Sequence, residues 1–119
     1  MSMGYNKVQL VGRITHNLDL NNAKVQEEDR QYSRFSLAVN GFNDRVDFID
    51  CIVWGDRAVN LVKYSGMGSK ILVEGRINIS TYQNEEGENR KSFTVVADNI
   101  LYLDNKYKEE EKPKAVLPT

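Results

Sequence analysis

Two large aromatic side chains, six positions apart, are the feature of the sequence with the clearest chemical meaning. Phe48 and Trp54 lie in the segment DFIDCIVWGDRAVNLVKY. Because successive side chains of a strand point to opposite faces, both rings share one face, about 20 Å apart, while Ile49, Cys51 and Val53 share the other. Flat rings spaced along a sheet can stack with nucleobases. Both rings can also be ordinary core residues, as most aromatics in small β domains are, so the rest of the chain must decide.

An all-β arrangement with one short helix is predicted to position these rings. The helix follows Trp54, where Ala58, Leu61 and Val62 have helical spacing, and the Ser65–Gly68 turn ends it. The polar stretch 15–30 indicates a loop or a poorly regular strand connection, and the stretch 83–89 indicates a long charged hairpin loop. Alternating apolar residues predict five strands, at Lys7–Ile14, Tyr32–Asn40, Asp47–Trp54, Lys70–Tyr82 and Arg90–Leu103.

The same alternation sorts side chains between core and surface. Phe42 lies near the tip of the predicted hairpin between the second and third strands, where it either serves a binding function or folds back on the domain. Residues expected to face inward around the last hairpin are Ile77, Ile79, Phe93, Val95 and Ala97. Aromatics and cations expected together on the outward face are Tyr32 with Arg34, and Tyr82 with Arg76.

Composition indicates one soluble domain. The chain has 119 residues, of which 40% are hydrophobic and 28% charged. No apolar run reaches the roughly 20 residues of a membrane span, and the segment MSMGYNK lacks the apolar stretch of a signal peptide. We therefore expect a cytoplasmic protein, in a bacterium or a phage-infected host, associated with the nucleoid and not with a membrane.

Catalysis and metal binding are not expected. One cysteine and one histidine cannot form an intramolecular disulfide or a zinc set rich in those ligands. Cys51 is expected to face inward and His16 lies in a distant loop, so the two lack the geometry of a nucleophile and its base. No glycine-rich phosphate loop is present. We expect no enzymatic activity, no cofactor and no metal.

Charge is distributed unevenly although the net charge is only −1. Acidic residues gather in the apparent loops and near the C-terminus, whereas the predicted strands carry mostly Arg and Lys. A basic face can attract phosphates even when the whole chain is near neutral. The cations expected to line such a groove are Lys7, Arg13, Arg34, Lys70, Arg76, Arg90 and Lys91.

Five strands, a helix between the third and fourth, and mid-strand glycines at Gly12 and Gly75 fit the five-stranded Greek-key barrel called the OB-fold. The stretches NKVQLVGRIT, FSLAVN, DFIDCIVWGDRAVNLVKYSGMGSKILVEGRI and FTVVADNILYL also resemble, in the same order, the bacterial-type single-stranded DNA-binding proteins. The resemblance covers nearly all of residues 6–103. It implies an OB-fold domain over residues 1–103 that protects single-stranded DNA during replication, recombination and repair.

The resemblance also assigns roles. It places Phe48 and Trp54 on the main base-stacking platform, puts Tyr82 at a further stacking position, and brings Phe42 near another. It implies that several copies associate, with a homotetramer expected first and a dimer next. The outward Val11 and Leu72 are candidates for the contact between subunits.

Two departures from the family pattern leave an alternative open. Residues 104–119 are expected to be a short disordered tail ending AVLPT, without the acidic tip that recruits replication and repair enzymes, which suggests a short phage, mobile-element or accessory member. Asp50 puts an acid on the same strand face as Phe48 and Trp54. The alternative function is an OB-fold protein-interaction subunit of a replication or restart assembly that binds DNA weakly.

Overall fold

The computed structural model of the chain describes residues 4–104. The predicted tail therefore lies outside the described residues, apart from Asp104. The elements are β1 (Val8–Ile14), β2 (Asn21–Val25), β3 (Glu28–Asn40), β4 (Val46–Trp54), α1 (Asp56–Tyr64), β5 (Lys70–Gln83) and β6 (Asn89–Tyr102). A 3-10 turn, Phe42–Asp44, joins β3 to β4.

The described residues form six strands, one more than the sequence predicts. The additional strand is β2, which lies in the stretch 15–30 predicted to be a loop or a poorly regular strand connection. It pairs antiparallel with the start of β3, from Asn21 opposite Tyr32 to Val25 opposite Glu28. No side chain of β2 is buried, so it shows no alternation of apolar and polar residues. Its backbone hydrogen bonds to β3 define it, and a pattern of side chains cannot reveal such bonds.

One sheet contains all six strands in the order β1-β5-β6-β4-β3-β2, with an additional pairing between β1 and β3. All pairs are antiparallel except β4 with β6. Helix α1 contacts β3, β4 and β6, and it buries Ala58 and Leu61 completely. The core contains Ile14, Phe35, Leu37, Cys51, Val53, Ala58, Leu61, Ile71, Val73, Val95 and Ala97.

Gly75 marks an irregularity that the sequence predicts. The register between β5 and β6 shifts between Glu74 and Gly75. A Cβ atom built on Gly75 would lie 1.9 Å from the carbonyl oxygen of Val96, closer than any real contact. The backbones of β5 and β6 therefore approach each other at a distance that only glycine permits.

Beyond Gly75, β5 and β6 continue as a ribbon, residues 76–96, that pairs with β4 only at Val95 and Val96 and ends in the turn at residues 84–88. The predicted burial of three ribbon residues is wrong, since Ile77, Ile79 and Phe93 are exposed and Phe93 retains 62% of its accessible surface. Strand β4 pairs with β6 only between Val95 and Ala97, both of which are buried as predicted. The ribbon extends past the sheet that would cover its inward face.

Candidate nucleic-acid interface

One face of the sheet collects the aromatic side chains predicted to stack with bases. Tyr32 is the register partner of Trp54, and Phe48 lies further along β4 opposite Ala38. The register from β4 through β6 to β5 puts Tyr82 on the same side, because Ile52 pairs with Val96 and alternation then leads to Arg90 and its partner Tyr82. We call this side, carrying Tyr32, Phe48, Trp54 and Tyr82, the outer face.

The Trp54 end of the outer face is a cluster of rings and cations. The centroids of the Tyr32 and Trp54 rings are 5.1 Å apart, with the planes tilted by 38°. The guanidinium of Arg30 lies 5.6 Å from the Trp54 ring centroid, and that of Arg34 lies 5.9 Å from the Tyr32 ring centroid. Cations over aromatic faces hold the rings in place and leave positive charge beside them. A base that stacks on this cluster would bring its phosphate next to an arginine.

Phe48 forms the opposite end of the face and remains 69% exposed. The residue across from it on β3 is Ala38, whose small side chain leaves the ring uncovered. Ala38 is also the partner of Arg13 on β1, and Arg13 in turn pairs with Lys70 on β5. Two of the predicted groove cations therefore lie in the same row across the sheet as Phe48, two and three strands away from it. An exposed ring in one row with cations suits a stacked base and its phosphate.

Phe42 stands at the tip of the β3–β4 hairpin. It is 88% exposed, so it does not fold back on the domain, which removes one of the two alternatives left open by the sequence. The 3-10 turn holds it there through backbone hydrogen bonds from Arg45 to Phe42 at 3.0 Å and from Gly41 to Arg45 at 2.8 Å. Phe42 extends the line of exposed aromatics beyond Phe48.

The remaining predicted cations occupy different positions. Arg34 and Arg76 stand in one row across the outer face, with Ile52 and Val96 between them. Three cations form ion pairs: Arg76 with Asp98 at 3.0 Å, Arg90 with Glu88 at 2.8 Å and Arg13 with Asp104 at 3.2 Å. These pairs are exposed and weak, so a phosphate can compete for the guanidinium groups.

One predicted cation, Lys91, is not brought to the outer face with the aromatics. Lys91 lies on the opposite side of the ribbon from Arg90, because neighbouring strand residues alternate. Lys7 precedes β1 and lies near Glu74, whose pKa is lowered by hydrogen bonds from Gln9 and Asn99, with a smaller contribution from the Lys7 charge. Fewer cations therefore lie on the outer face than the sequence predicts.

The residues that suggested catalysis do not form a catalytic arrangement. Cys51 is 1% exposed, and burial, followed by the nearby negative charge of Asp50, raises the pKa of its thiol to about 12. The His16 ring nitrogen Nδ1 forms a hydrogen bond of 2.9 Å with the carbonyl oxygen of Asn17. Between residues 4 and 104, no group of three or more His, Cys, Asp or Glu side chains could hold a metal ion. Over the same range, no helix is long and apolar enough to cross a membrane.

One residue of the outer face and one exposed ring outside it differ from the sequence-based expectation. Arg30, which stands over Trp54, belongs to the stretch 15–30, although continuing the alternation of Tyr32 and Arg34 by one step places it on the outer face. Phe93, expected to face the core, is exposed on the side of the ribbon opposite Tyr82. No local signal could have found Phe93, because its exposure depends on where β4 ends its pairing with β6.

Comparison with known proteins decides the family. Residues 5–103 match the model of the single-strand binding protein family. The chain belongs to the single-strand binding protein family. It is 42% identical over 101 residues to a single-stranded DNA-binding protein of Onion yellows phytoplasma (strain OY-M), covering 85% of this chain and 96% of the relative. It is also 34% identical over 112 residues to single-stranded DNA-binding protein B of Bacillus subtilis (strain 168), covering 89% and 96% respectively. The family resemblance predicted from the sequence is confirmed, and the outer face is the aromatic surface of a single-strand binding family member.

Proposed function

We propose that this chain binds single-stranded DNA without sequence specificity and protects it during DNA replication, recombination and repair. The observation that carries the proposal is the exposed Phe48 ring on the same sheet face as Trp54, in a chain that matches the single-strand binding protein family from residue 5 to residue 103. Family membership favours this function over a protein-interaction subunit that binds DNA weakly. The function is binding and not catalysis.

In the proposed mechanism, bases stack on Trp54, Phe48 and Tyr82 while phosphates approach the neighbouring cations. Each stacked base contributes about 1–3 kcal/mol, whichever base it is, because every base has a flat π-face. Surface cations act mainly through counterion release, so their contribution fades as salt increases. The remaining predicted contacts are Phe42, Tyr32, Arg13, Arg34, Arg76, Lys7, Lys70, Arg90 and Lys91.

The proposed architecture is an OB-fold barrel of five strands, β1, β3, β4, β5 and β6. Support comes from the additional pairing of β1 with β3, at Arg13 with Ala38 and Ile14 with Leu37, which gives β1 a partner on each edge. Strand β2 then extends the hairpin with β3 and lies outside the barrel. This arrangement reconciles the six strands with a five-stranded fold.

The proposed assembly is a homotetramer, with a dimer as the next alternative. Val11, Leu72 and Leu101 stand side by side on adjacent strands and point outward. Val11 and Leu101 are exposed, and we call the three residues the β1–β5–β6 patch. Contiguous apolar surface of this kind favours association. We also propose a cytoplasmic location and contact with replication or recombination proteins.

Titration of the protein with oligo-dT tests the proposed function. We expect Trp54 fluorescence to be quenched by the single strand at low and at high salt, and not by duplex DNA, because stacking requires an open base face. We expect Trp54→Ala to weaken binding of a fluorescein-labelled oligo-dT by about 1–3 kcal/mol, measured by anisotropy.

Tyr64→Ala is the matched control for this substitution, because it removes an aromatic ring on α1 that contacts Tyr102 and does not lie on the outer face. It should leave the affinity unchanged. Circular dichroism is the measurement that checks whether both variants fold. An unchanged affinity in Trp54→Ala at several salt concentrations would contradict the platform, and equal affinity for duplex DNA would contradict the function.

A further inference from the structure

Asp50 occupies the middle of the outer face. It lies on β4 between the two stacking residues Phe48 and Trp54, and its register partner on β3 is Ser36. The side chain is exposed. A bound single strand that stacks on both rings must pass over this carboxylate, so its effect on bound bases is a question that the proposed function leaves open.

The Asp50 carboxylate is available to a ligand. Among residues 4–104 it forms no ion pair and accepts no side-chain hydrogen bond. It lines a pocket of ≈ 300 Å³ together with Arg34, the hydroxyl residues Ser36 and Thr94, and His16. This volume is at the lower end of small-molecule sites, which span about 300–1,000 Å³. The pocket has room for one flat ring, and polar groups lie along its wall.

A carboxylate at this point discriminates between bases. An ionised Asp only accepts hydrogen bonds. Cytosine presents the N4 amino group, adenine the N6 amino group and guanine the N2 amino group, and each of these groups can donate to it. Thymine presents an N3–H flanked by two carbonyl oxygens, which a carboxylate repels. Near a phosphate alone, in contrast, Asp50 would oppose every nucleotide equally. A base edge that enters the pocket would meet the carboxylate, and there the two cases differ.

We infer that Asp50 is a base-reading residue in an otherwise sequence-tolerant site, favouring an amino-bearing base (cytosine, adenine or guanine) over thymine at one position of the bound strand. The inference rests on the proposed function, because it needs a single strand on the outer face. Stacking on Trp54 and Phe48 supplies affinity for any base. Hydrogen bonding to Asp50 adds the modest preference.

The test compares oligo-dC with oligo-dT of equal length, followed by Trp54 fluorescence at slightly alkaline pH, where cytosine is unprotonated. In Asp50→Asn the side chain gains an amide donor that suits a thymine carbonyl and loses the negative charge. We expect the ratio of oligo-dC to oligo-dT affinity to be about fivefold lower in Asp50→Asn than in the unaltered protein. The difference should persist at high salt, because it comes from hydrogen bonds and not from counterion release.

Asp47→Asn is the matched control. It makes the same chemical change on the same strand, on the opposite face, where Asp47 forms an exposed ion pair with Arg45. It should leave the affinity ratio unchanged. If Asp50→Asn raises both affinities by the same factor, Asp50 acts only by charge, and the inference is overturned while the proposed function stands. If the unaltered protein binds neither oligonucleotide, both are overturned.

Discussion

At the scale of single residues, the aromatic rings of the outer face differ in how many other side chains contact them. The Tyr32 ring centroid lies 5.1 Å from the Trp54 ring centroid, and the Arg30 guanidinium lies 5.6 Å from the same Trp54 centroid. These contacts hold the indole in place before any ligand binds. Holding a side chain in place in advance reduces the entropy lost on binding. Phe48 and Phe42 have no such arrangement of rings among the described residues, and both remain largely exposed. We expect Trp54 to be the firmest stacking position of the three.

Cys51 lies next to Asp50 in the sequence but serves the core. Its thiol is 1% exposed, and burial raises its pKa to about 12. We expect no reaction with Ellman's reagent in the folded protein at about pH 8, because the reactive thiolate is almost absent, and rapid reaction after unfolding in guanidinium chloride. A variant combining Cys51→Ala with Ser80→Cys, an exposed position on the ribbon, should react at once.

The same pKa shift gives a pH dependence of stability. The folded pKa of about 12 lies above the ordinary cysteine pKa of 9.0, so between these values the unfolded chain binds fewer protons than the folded one. The free energy of unfolding should therefore fall as pH rises from 9.0 towards 12. The fall should be steeper in the unaltered protein than in Cys51→Ala, as measured by urea denaturation. Parallel curves, or a thiol that reacts in the folded state, would contradict the burial of Cys51.

At the scale of elements, the ribbon shows that the direction of a side chain and its burial are separate properties, although the alternation of apolar residues predicts both together. Ile77, Ile79 and Phe93 keep the inward direction predicted from the sequence, yet all three are exposed. The direction of a side chain follows from strand geometry, whereas its burial requires a second layer above it. The bulge at Gly75 marks where β5 leaves the part of the sheet that α1 and the other strands cover.

This difference predicts unequal costs for two phenylalanines. We expect Phe93→Ala to lower the free energy of unfolding by less than about 1 kcal/mol, because its ring is already in solvent. We expect Phe35→Ala to cost about 3–5 kcal/mol, because Phe35 is buried in the core. Urea denaturation at a fixed protein concentration measures both, since association affects apparent stability. A loss in Phe93→Ala close to that in Phe35→Ala would mean that another surface covers the ribbon.

At the scale of the whole molecule, two surfaces have separate proposed roles, DNA binding for one and association between copies for the other. The outer face carries the aromatic residues, and the β1–β5–β6 patch carries contiguous apolar residues of three neighbouring strands. Both surfaces include residues of β5, with Tyr82 beyond the bulge in the outer face and Leu72 before the bulge in the patch.

Association through the patch is testable by one substitution. We expect the unaltered protein to sediment as a tetramer and Leu101→Glu to sediment as a smaller species, because the new charge would be buried without a partner in the contact. Leu101 is 50% exposed, so the substitution should leave the monomer folded, as circular dichroism can confirm.

Val46→Glu introduces the same charge at an exposed apolar residue outside the patch and should keep the mass of the unaltered protein. Analytical ultracentrifugation measures all three species. A monomeric unaltered protein would contradict the assembly, and an unchanged mass in Leu101→Glu would place the contact elsewhere.

The sequence by itself determined the positions of five strands and the helix, the glycine at the bulge, and the shared face of Phe48 and Trp54, because these features follow from neighbouring residues. Alternation has a fixed period, and a glycine within a strand is a local signal. Only the tertiary structure decided that β2 is a strand, that the ribbon residues are exposed, and that Arg30 lies over Trp54. Those outcomes depend on backbone pairing and on where the sheet ends, and both are set by residues distant in the sequence. The roles of the predicted site residues in binding stay predictions, because binding is a property of the surface together with its ligand.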